Sequence, residues 1–131
     1  MTTNVNGYIS AISIQQNDEI YIGGAFSLIN GVAANKLARL NIDGTLDTSF
    51  NPNPNNNVNS IVIQNDGKIL IGGAFTSIAG ITRNRIARLN VNGTLDTMFD
   101  PNADNIVYSI SIQQNGKNNY LWLFYSNIWS S

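Results

Sequence analysis

The residues of this chain that could do chemistry are few, and they recur. Arg39 and Asp47 return as Arg88 and Asp96, with the second pair 49 residues after the first. A guanidinium beside a carboxylate can hold a charged ligand, or it can tie two strands together through charge-assisted hydrogen bonds. A copy in each repeat favours the second use, because a catalytic centre needs one constellation and not one per repeat. The double glycines Gly23-Gly24 and Gly72-Gly73 are the next candidates. Glycine loops cradle phosphates when a helix and a Lys-Ser/Thr follow them. Neither follows here, so these glycines read as a bulge or a close backbone approach at a strand end. Phe26 and Phe75 complete the same repeated string. Asp18 and Glu19 are adjacent carboxylates in a turn, with no matching pair elsewhere, which does not suit the separated acid and base of a glycosidase. Asn41, Asp43 and Asp47 carry hard oxygens near a Gly turn, the kind calcium takes. Their spacing fits neither the EF-hand loop nor the calcium-binding nonapeptide, and Asp43 becomes Asn92 in the next copy. The chain has no His and no Cys, which removes imidazole bases, thiolate nucleophiles, disulfides and the usual zinc, copper and haem ligands. No catalytic residue, cofactor or metal site is expected, and the chain is not read as an enzyme.

The elements that position these residues must come from an unusual composition. Of 131 residues, 43% are hydrophobic and only 11% charged, against roughly 25% charged in an ordinary globular domain. Asn fills much of the gap with 22 residues, which suits turns, because Asn and Gly tolerate left-handed backbone angles. The net charge is −1, with no basic stripe to track a phosphate backbone, so no nucleic-acid partner is expected. The polar start, Met1 to Gly7, lacks the basic and apolar regions of a signal peptide. The apolar stretch Tyr120 to Tyr125 is far shorter than the roughly 20 residues that span a bilayer, so no membrane partner is expected.

The organisation is a tandem repeat. Ile22-Gly23-Gly24-Ala25-Phe26 returns as Ile71-Gly72-Gly73-Ala74-Phe75. Ala38-Arg39-Leu40-Asn41 returns as Ala87-Arg88-Leu89-Asn90, and Gly44-Thr45-Leu46-Asp47-Thr48 as Gly93-Thr94-Leu95-Asp96-Thr97. Every pair is offset by 49 (73 − 24 = 49; 88 − 39 = 49) without a gap. A third copy begins with Ser109 to Gln113 and Gly116-Lys117, then departs at Asn118. The organisation is therefore a lead-in over 1–7, repeats over 8–57 and 58–106, and a partial third over 107–131. Each full repeat holds four strand candidates: Ile9 to Gln15, Ile20 to Phe26, Leu37 to Ile42 and Thr45 to Phe50, then Val58 to Gln64, Ile69 to Phe75, Ile86 to Val91 and Thr94 to Phe99. Asn65-Asp66-Gly67-Lys68 marks a tight turn between the first two. Ile12 and Ile14 alternate with polar residues, whereas Ile69-Leu70-Ile71 is continuous, as in a strand buried on both faces. Four antiparallel strands with both faces covered, repeated at this period, predict an all-β chain of propeller-like blades, two complete and one partial, with the ring not closed. A β-solenoid is the alternative, though its coils are usually shorter.

The strings Asp66 to Phe75, Ile86 to Asn90 and Asn92 to Thr97, followed by Phe99, resemble the bacterial delta-sixty repeat family of β-propeller repeats. The match covers Ile9 to Lys117, and the first copy departs from it at Asp18, where the turn glycine Gly67 stands in the second. The double glycine is also similar to kelch repeats, whose following Tyr and Trp are absent here. The resemblance implies a propeller fold and a secreted, surface-attached or virion-associated parent; it carries little about activity.

The departure at Asn118 reads as a change of reading frame. A base inserted after Lys117 would place Gly at positions 122 and 129, which lie 49 residues beyond Gly73 and Gly80. On that reading the parent continues into more blades; the alternative is a divergent strand, Tyr120 to Tyr125. Functionally, the chain is expected to be a non-catalytic binding, adhesion or structural module, with an unidentified protein or glycan as ligand and self-association through uncovered blade faces. The run Asn51 to Asn57 reads as an inter-blade linker. The alternative is a piece of a larger secreted propeller enzyme whose active residues lie elsewhere.

Overall fold

The computed structural model describes the backbone of residues 3–115, 118–124 and 129–130, with side chains through Ile112. All regular structure in it is β, and the 49-residue period is visible in the strand boundaries. The first repeat gives β1 (Ile9–Ile14), β2 (Ile20–Gly24), β3 (Leu28–Ile29), β4 (Val32–Ala33) and β5 (Leu37–Leu40). The second gives β6 (Val58–Ile63), β7 (Ile69–Gly73), β8 (Ser77–Ile78), β9 (Ile81–Thr82) and β10 (Ile86–Leu89). The third gives β11 (Ser109–Asn115), β12 (Asn118–Phe124) and β13 (Trp129–Ser130).

Each repeat folds into an antiparallel sheet, in the orders β1-β2-β5, β6-β7-β10 and β11-β12-β13. In the first two blades the fourth strand is shorter than the sequence suggests. It is a single bridge, Leu40 to Leu46 and Leu89 to Leu95. The cause lies in Asp47 and Asp96. Their carbonyls accept hydrogen bonds from the N–H groups of Phe50 and Phe99, and their carboxylates accept from the N–H groups of Ser49 and Met98. These turns lead the chain away from the sheet after one bridge. A second addition is a small hairpin in each blade, β3-β4 and β8-β9. Its turns, Asn30-Gly31 and Ala79-Gly80, have both residues at positive φ, the geometry of a type I′ hairpin turn.

Burial follows the period-2 rule across neighbouring blades. Every residue of β7 is buried. Leu70 points to one neighbour, into a cluster with Ile86, Ala103, Val107 and Ile110. Ile69 and Ile71 point to the other, into a cluster with Tyr21, Leu37 and Phe50 of the first blade. The cores therefore lie between blades, not inside a single sheet. Ile22 and Ile71 hold matching places: each pairs with an isoleucine of the preceding strand, Ile12 or Ile61, and with an alanine of the following one, Ala38 or Ala87. Hydrogen bonds stitch the joints. Ser10 Oγ donates to Val58 O and Ser13 Oγ to Ile61 O, both at 2.8 Å. Asn59 Nδ2 donates to Val107 O at 3.2 Å.

The third hairpin keeps the topology and changes register. Ile61 faces Ile71 in the second blade, but Ile110 faces Leu123 in the third, three residues beyond the position that the 49-residue offset would give (71 + 49 = 120). The stretch read as either a divergent strand or an out-of-frame tail is a strand through Phe124; Tyr125 lies outside the described residues.

Candidate functional site

The two glycines of each pair do different jobs. A Cβ on Gly24 would lie 2.2 Å from Tyr8 O, and one on Gly73 would lie 2.1 Å from Asn57 O. Both obstacles are backbone, at the bulges of β1 (between Ile9 and Ala11) and β6 (between Val58 and Ser60). The same carbonyls accept from Ala25 N and Ala74 N at 3.0 and 2.9 Å. Gly23 and Gly72 are holes for the next blade, where an added Cβ would meet Val58 Cγ1 or Val107 Cγ1 at 2.7 Å. The N–H groups of Gly24 and Gly73 are spent on Lys36 O and Arg85 O. The site predicted as a strand-end close approach is thus a packing device. Phe26 and Phe75, fully buried, close the same corner by accepting from the N–H groups of Lys36 and Arg85.

Arg39 and Asp47 meet, as do Arg88 and Asp96, across the single-bridge edge of each blade. Arg39 Nε and an Nη lie 2.9 and 2.8 Å from Asp47 Oδ2. Its other contacts reach Glu19 at 3.2 Å, Tyr21 Oη at 3.3 Å and, in the next blade, Val91 O at 2.6 Å. The guanidinium carbon sits 4.7 Å from the Phe50 ring centroid, a stacked arrangement favoured for arginine. Burial works against its charge, but the hydrogen bonds to Tyr21 and Asp47 hold its pKa above the ordinary value. In the second blade Arg88 Nε donates to Asp96 Oδ2 at 2.8 Å, and Lys68 Nζ adds a bond at 3.0 Å. Lys68 and Arg88 hold the Asp96 carboxyl down at about 2. The charges are satisfied within their own blades and, for Arg39, by Val91 O of the next.

The oxygens weighed for calcium are likewise engaged in their own turns. Asp43 Oδ1 accepts from Thr45 N at 3.0 Å and from its hydroxyl at 2.6 Å. Asn92 Oδ1 does the same with Thr94 at 3.1 and 2.7 Å. Asn41 Nδ2 donates to Thr45 Oγ1. The two copies superpose in role despite the lost charge, as expected of an Asx turn and not of an ion cage. Among the described residues no three His, Cys, Asp or Glu side chains converge.

Sequence reasoning missed the asparagine clamps. Asn6 Oδ1 accepts from the N–H groups of Ser27 and Leu28. Asn55 Oδ1 does so from Thr76 and Ser77. Each pins the entrance of a small hairpin. Asn35 Nδ2 donates to Pro54 O at 2.9 Å, and Asn84 Nδ2 to Asn102 Oδ1 at 2.8 Å. The lead-in is part of the repeat, since Val5 bridges Ile29 where Pro54 bridges Ile78. The 49-residue offset between Asn6 and Asn55 was the available signal, hidden by the low complexity of Asn51 to Asn57.

A cleft of about 210 Å³ opens where the β1-β2 and β6-β7 turns adjoin, lined by Ile14, Gln15, Gln16, Ile63, Gln64, Asn65 and Gly67. Its lining is four neutral amides, two isoleucines and a glycine. Gln15 Oε1 and Gln64 Oε1, equivalent atoms one period apart, are buried without a hydrogen-bond partner among the described residues.

Residues 15–50 and 64–99 match the family described as Domain of unknown function (DUF5122) beta-propeller. The chain belongs to this family. The two DUF5122 segments are one period apart (64 − 15 = 49), and together they cover more than half of the chain. Each begins at a cleft glutamine, Gln15 or Gln64, and ends at the phenylalanine beneath the arginine, Phe50 or Phe99. Each matched DUF5122 segment thus spans the turn, the double glycine and the Arg-Asp edge described above. A search of curated proteins finds no match.

Proposed function

We propose that this DUF5122 chain is a non-catalytic scaffold whose inter-blade turn cleft binds a neutral, hydroxyl-rich ligand such as a glycan. The observation that carries the reading is the pair of unpartnered amide oxygens, Gln15 Oε1 and Gln64 Oε1, beside a cleft with no charged residue in its lining. Buried acceptors without donors are costly, and turning these two amides into the cleft lets a ligand hydroxyl or its bridging water supply the donors. The charged pairs give no support to catalysis, because each is engaged in holding its own blade or, through Arg39 and Val91 O, the joint to the next. The similarity of the repeated strings to delta-sixty repeats is consistent with a surface or secreted setting. A glycan array probed with the full chain tests the reading. Binding to neutral glycans that Gln15→Leu and Gln64→Leu weaken is the expected result. An array without hits, or hits unaffected by both variants, overturns it.

A further inference from the structure

An asparagine followed by glycine stands at Asn6, Asn30, Asn92 and Asn115. In such a pair the glycine nitrogen can attack the side-chain amide carbon, because no Cβ shields it. The fold decides which pair is free to react. The side chain of Asn115 lies outside the described residues. Asn6 is locked: Oδ1 accepts from Ser27 N and Leu28 N, and Nδ2 donates to Ser27 Oγ. Gly7 is pressed against the chain, with an added Cβ only 2.9 Å from Phe26 Cα. Asn92 Oδ1 accepts two bonds from Thr94, and its would-be attacker, Gly93 N, is engaged on Asn90 O at 2.9 Å. Asn30 differs on each count. It sits exposed with Gly31 at the tip of β3-β4, and its Oδ1 accepts one bond, from Asn4 N. Neither Asn30 Nδ2 nor the Gly31 N–H has a hydrogen-bond partner among the described residues. An added Cβ on Gly31 would meet nothing within 4 Å. The hairpin has two residue pairs, Leu28 with Ala33 and Ile29 with Val32, so its tip opens at low cost.

We propose that Asn30 is a site of spontaneous deamidation. Gly31 N attacks Asn30 Cγ; the N–Cγ bond forms, the Cγ–Nδ2 bond breaks, and Nδ2 leaves as ammonia with the proton that Gly31 N releases. Water then opens the succinimide ring at either carbonyl. Opening at Cγ gives aspartate, which keeps the acceptor for Asn4 N. Opening at the main-chain carbonyl gives isoaspartate, which routes the backbone through Cβ and lengthens it by one atom. A two-residue turn cannot absorb that atom and keep its register. Asn30 N donates to Asn4 O, and Val5 bridges Ile29, so the isoaspartyl form loosens the lead-in from the first blade. The second blade's tip is inert, because Ala79 stands where Asn30 does.

The test incubates the full chain in mildly alkaline buffer, with and without urea, and maps its peptides over time by mass spectrometry, separating aspartyl from isoaspartyl forms by chromatography. In the folded chain Asn30 should convert about tenfold or more faster than Asn92, which must first release its bonds from Thr94 and that of Gly93. Urea should bring the two rates together. Asn30→Gln, which would need a less favourable six-membered ring, should abolish conversion at this position. Limited proteolysis should cut the lead-in faster in the isoaspartyl fraction than in Asn30→Asp, which reproduces the other product. Conversion of Asn30 no faster than that of Asn92 in the folded chain, or confined to urea, overturns the site. An isoaspartyl fraction as protected as Asn30→Asp overturns its effect on the lead-in.

Discussion

The first and second blades have nearly the same sequence and solve one electrostatic problem with opposite signs. In the first, a single cation, Arg39, sits between two carboxylates, Glu19 and Asp47. In the second, a single carboxylate, Asp96, sits between two cations, Arg88 and Lys68. Glu19 and Lys68 occupy the same repeat position (19 + 49 = 68), so one substitution inverts the local charge and moves the centre of burial. The arginine is the buried member in the first blade, with its side chain 8% exposed, and the aspartate in the second, at 9%. Repeat equivalence therefore preserves geometry more strictly than charge. The two blades also differ in neighbours, since the second is covered on both faces and the first exposes its leading isoleucines.

The strongest way to break the equivalence is through the glycines. Gly73→Ala drives a Cβ into Asn57 O, a backbone atom, and is expected to destabilise by about 3 kcal/mol or more. Gly72→Ala meets only side chains, Val107 and Ile110, and should cost about 1–3 kcal/mol. Urea unfolding of the two variants checks the order. A Gly72 variant worse than the Gly73 variant would show that the joint to the third blade outweighs the bulge.

Next in size is the contrast between Ile61 and Ile12. They stand one period apart and pair with equivalent partners, yet only Ile61 is buried. Ile61→Ala should cost about 2–4 kcal/mol. Ile12→Ala, measured at concentrations low enough to avoid association, should stay within about 0.5 kcal/mol. Equal losses would mean that the first blade's leading face is covered in solution by the chain itself.

Arg39 and Arg88 sharpen the charge comparison. Arg39→Met strands Asp47 and Glu19 and breaks the tie to Val91 O in the next blade. Arg88→Met leaves Asp96 still paired with Lys68. Thermal unfolding should show Arg39→Met costing about 2 kcal/mol and Arg88→Met about 1 kcal/mol. Acid titration probes the other centre. The folded Asp96 carboxyl lies at about 2, below its ordinary value of 3.8, so its contribution is fully present above about pH 4 and is lost as pH falls towards 2. Asp96→Asn should flatten the acid limb of stability in that window. Lys68→Met should shrink the acid loss and complete it at a higher pH, since it raises the folded carboxyl while the unfolded value that sets the onset stays the same.

How much of this was legible beforehand depended on whether a residue acts through its own repeat string. The period, the strand cores and the Arg-Asp pairs follow from strings that recur without gaps, and buried strands such as Ile69-Leu70-Ile71 show themselves by losing alternation. The shortened outer strand was not legible, because Thr94 to Phe99 has strand composition while Asp96 bends it through side-chain and main-chain hydrogen bonds. The asparagine clamps were hidden in a low-complexity run, where residue type says turn but not which backbone N–H is held. The cleft was invisible because it forms between turns 49 residues apart and uses amides that carry no motif. The small hairpins were half-visible, as Asn30-Gly31 is a type I′ signal that its counterpart, Ala79-Gly80, lacks.

That last difference gives the smallest effect and the sharpest comparison, since the two turns share a backbone and differ in chemistry. Asn30 and Ala79 both have φ of 50°, in the left-handed region. Alanine pays about 1 kcal/mol there through its Cβ, whereas Asn offsets part of that cost by local hydrogen bonding of its side chain. Each hairpin is held at its entrance by the same clamp, Asn6 or Asn55, but Asn30 also accepts at Oδ1 from Asn4 N at 2.8 Å and donates its N–H to Asn4 O. Ala79→Asn should therefore stabilise by about 0.5 kcal/mol, and Asn30→Ala should destabilise by about 1 kcal/mol, since it also removes the acceptor of Asn4 N. Urea midpoints at constant slope measure both. If Ala79→Asn instead destabilises, the second hairpin's turn geometry differs from the first, and the match between the two blades ends at their outer corners.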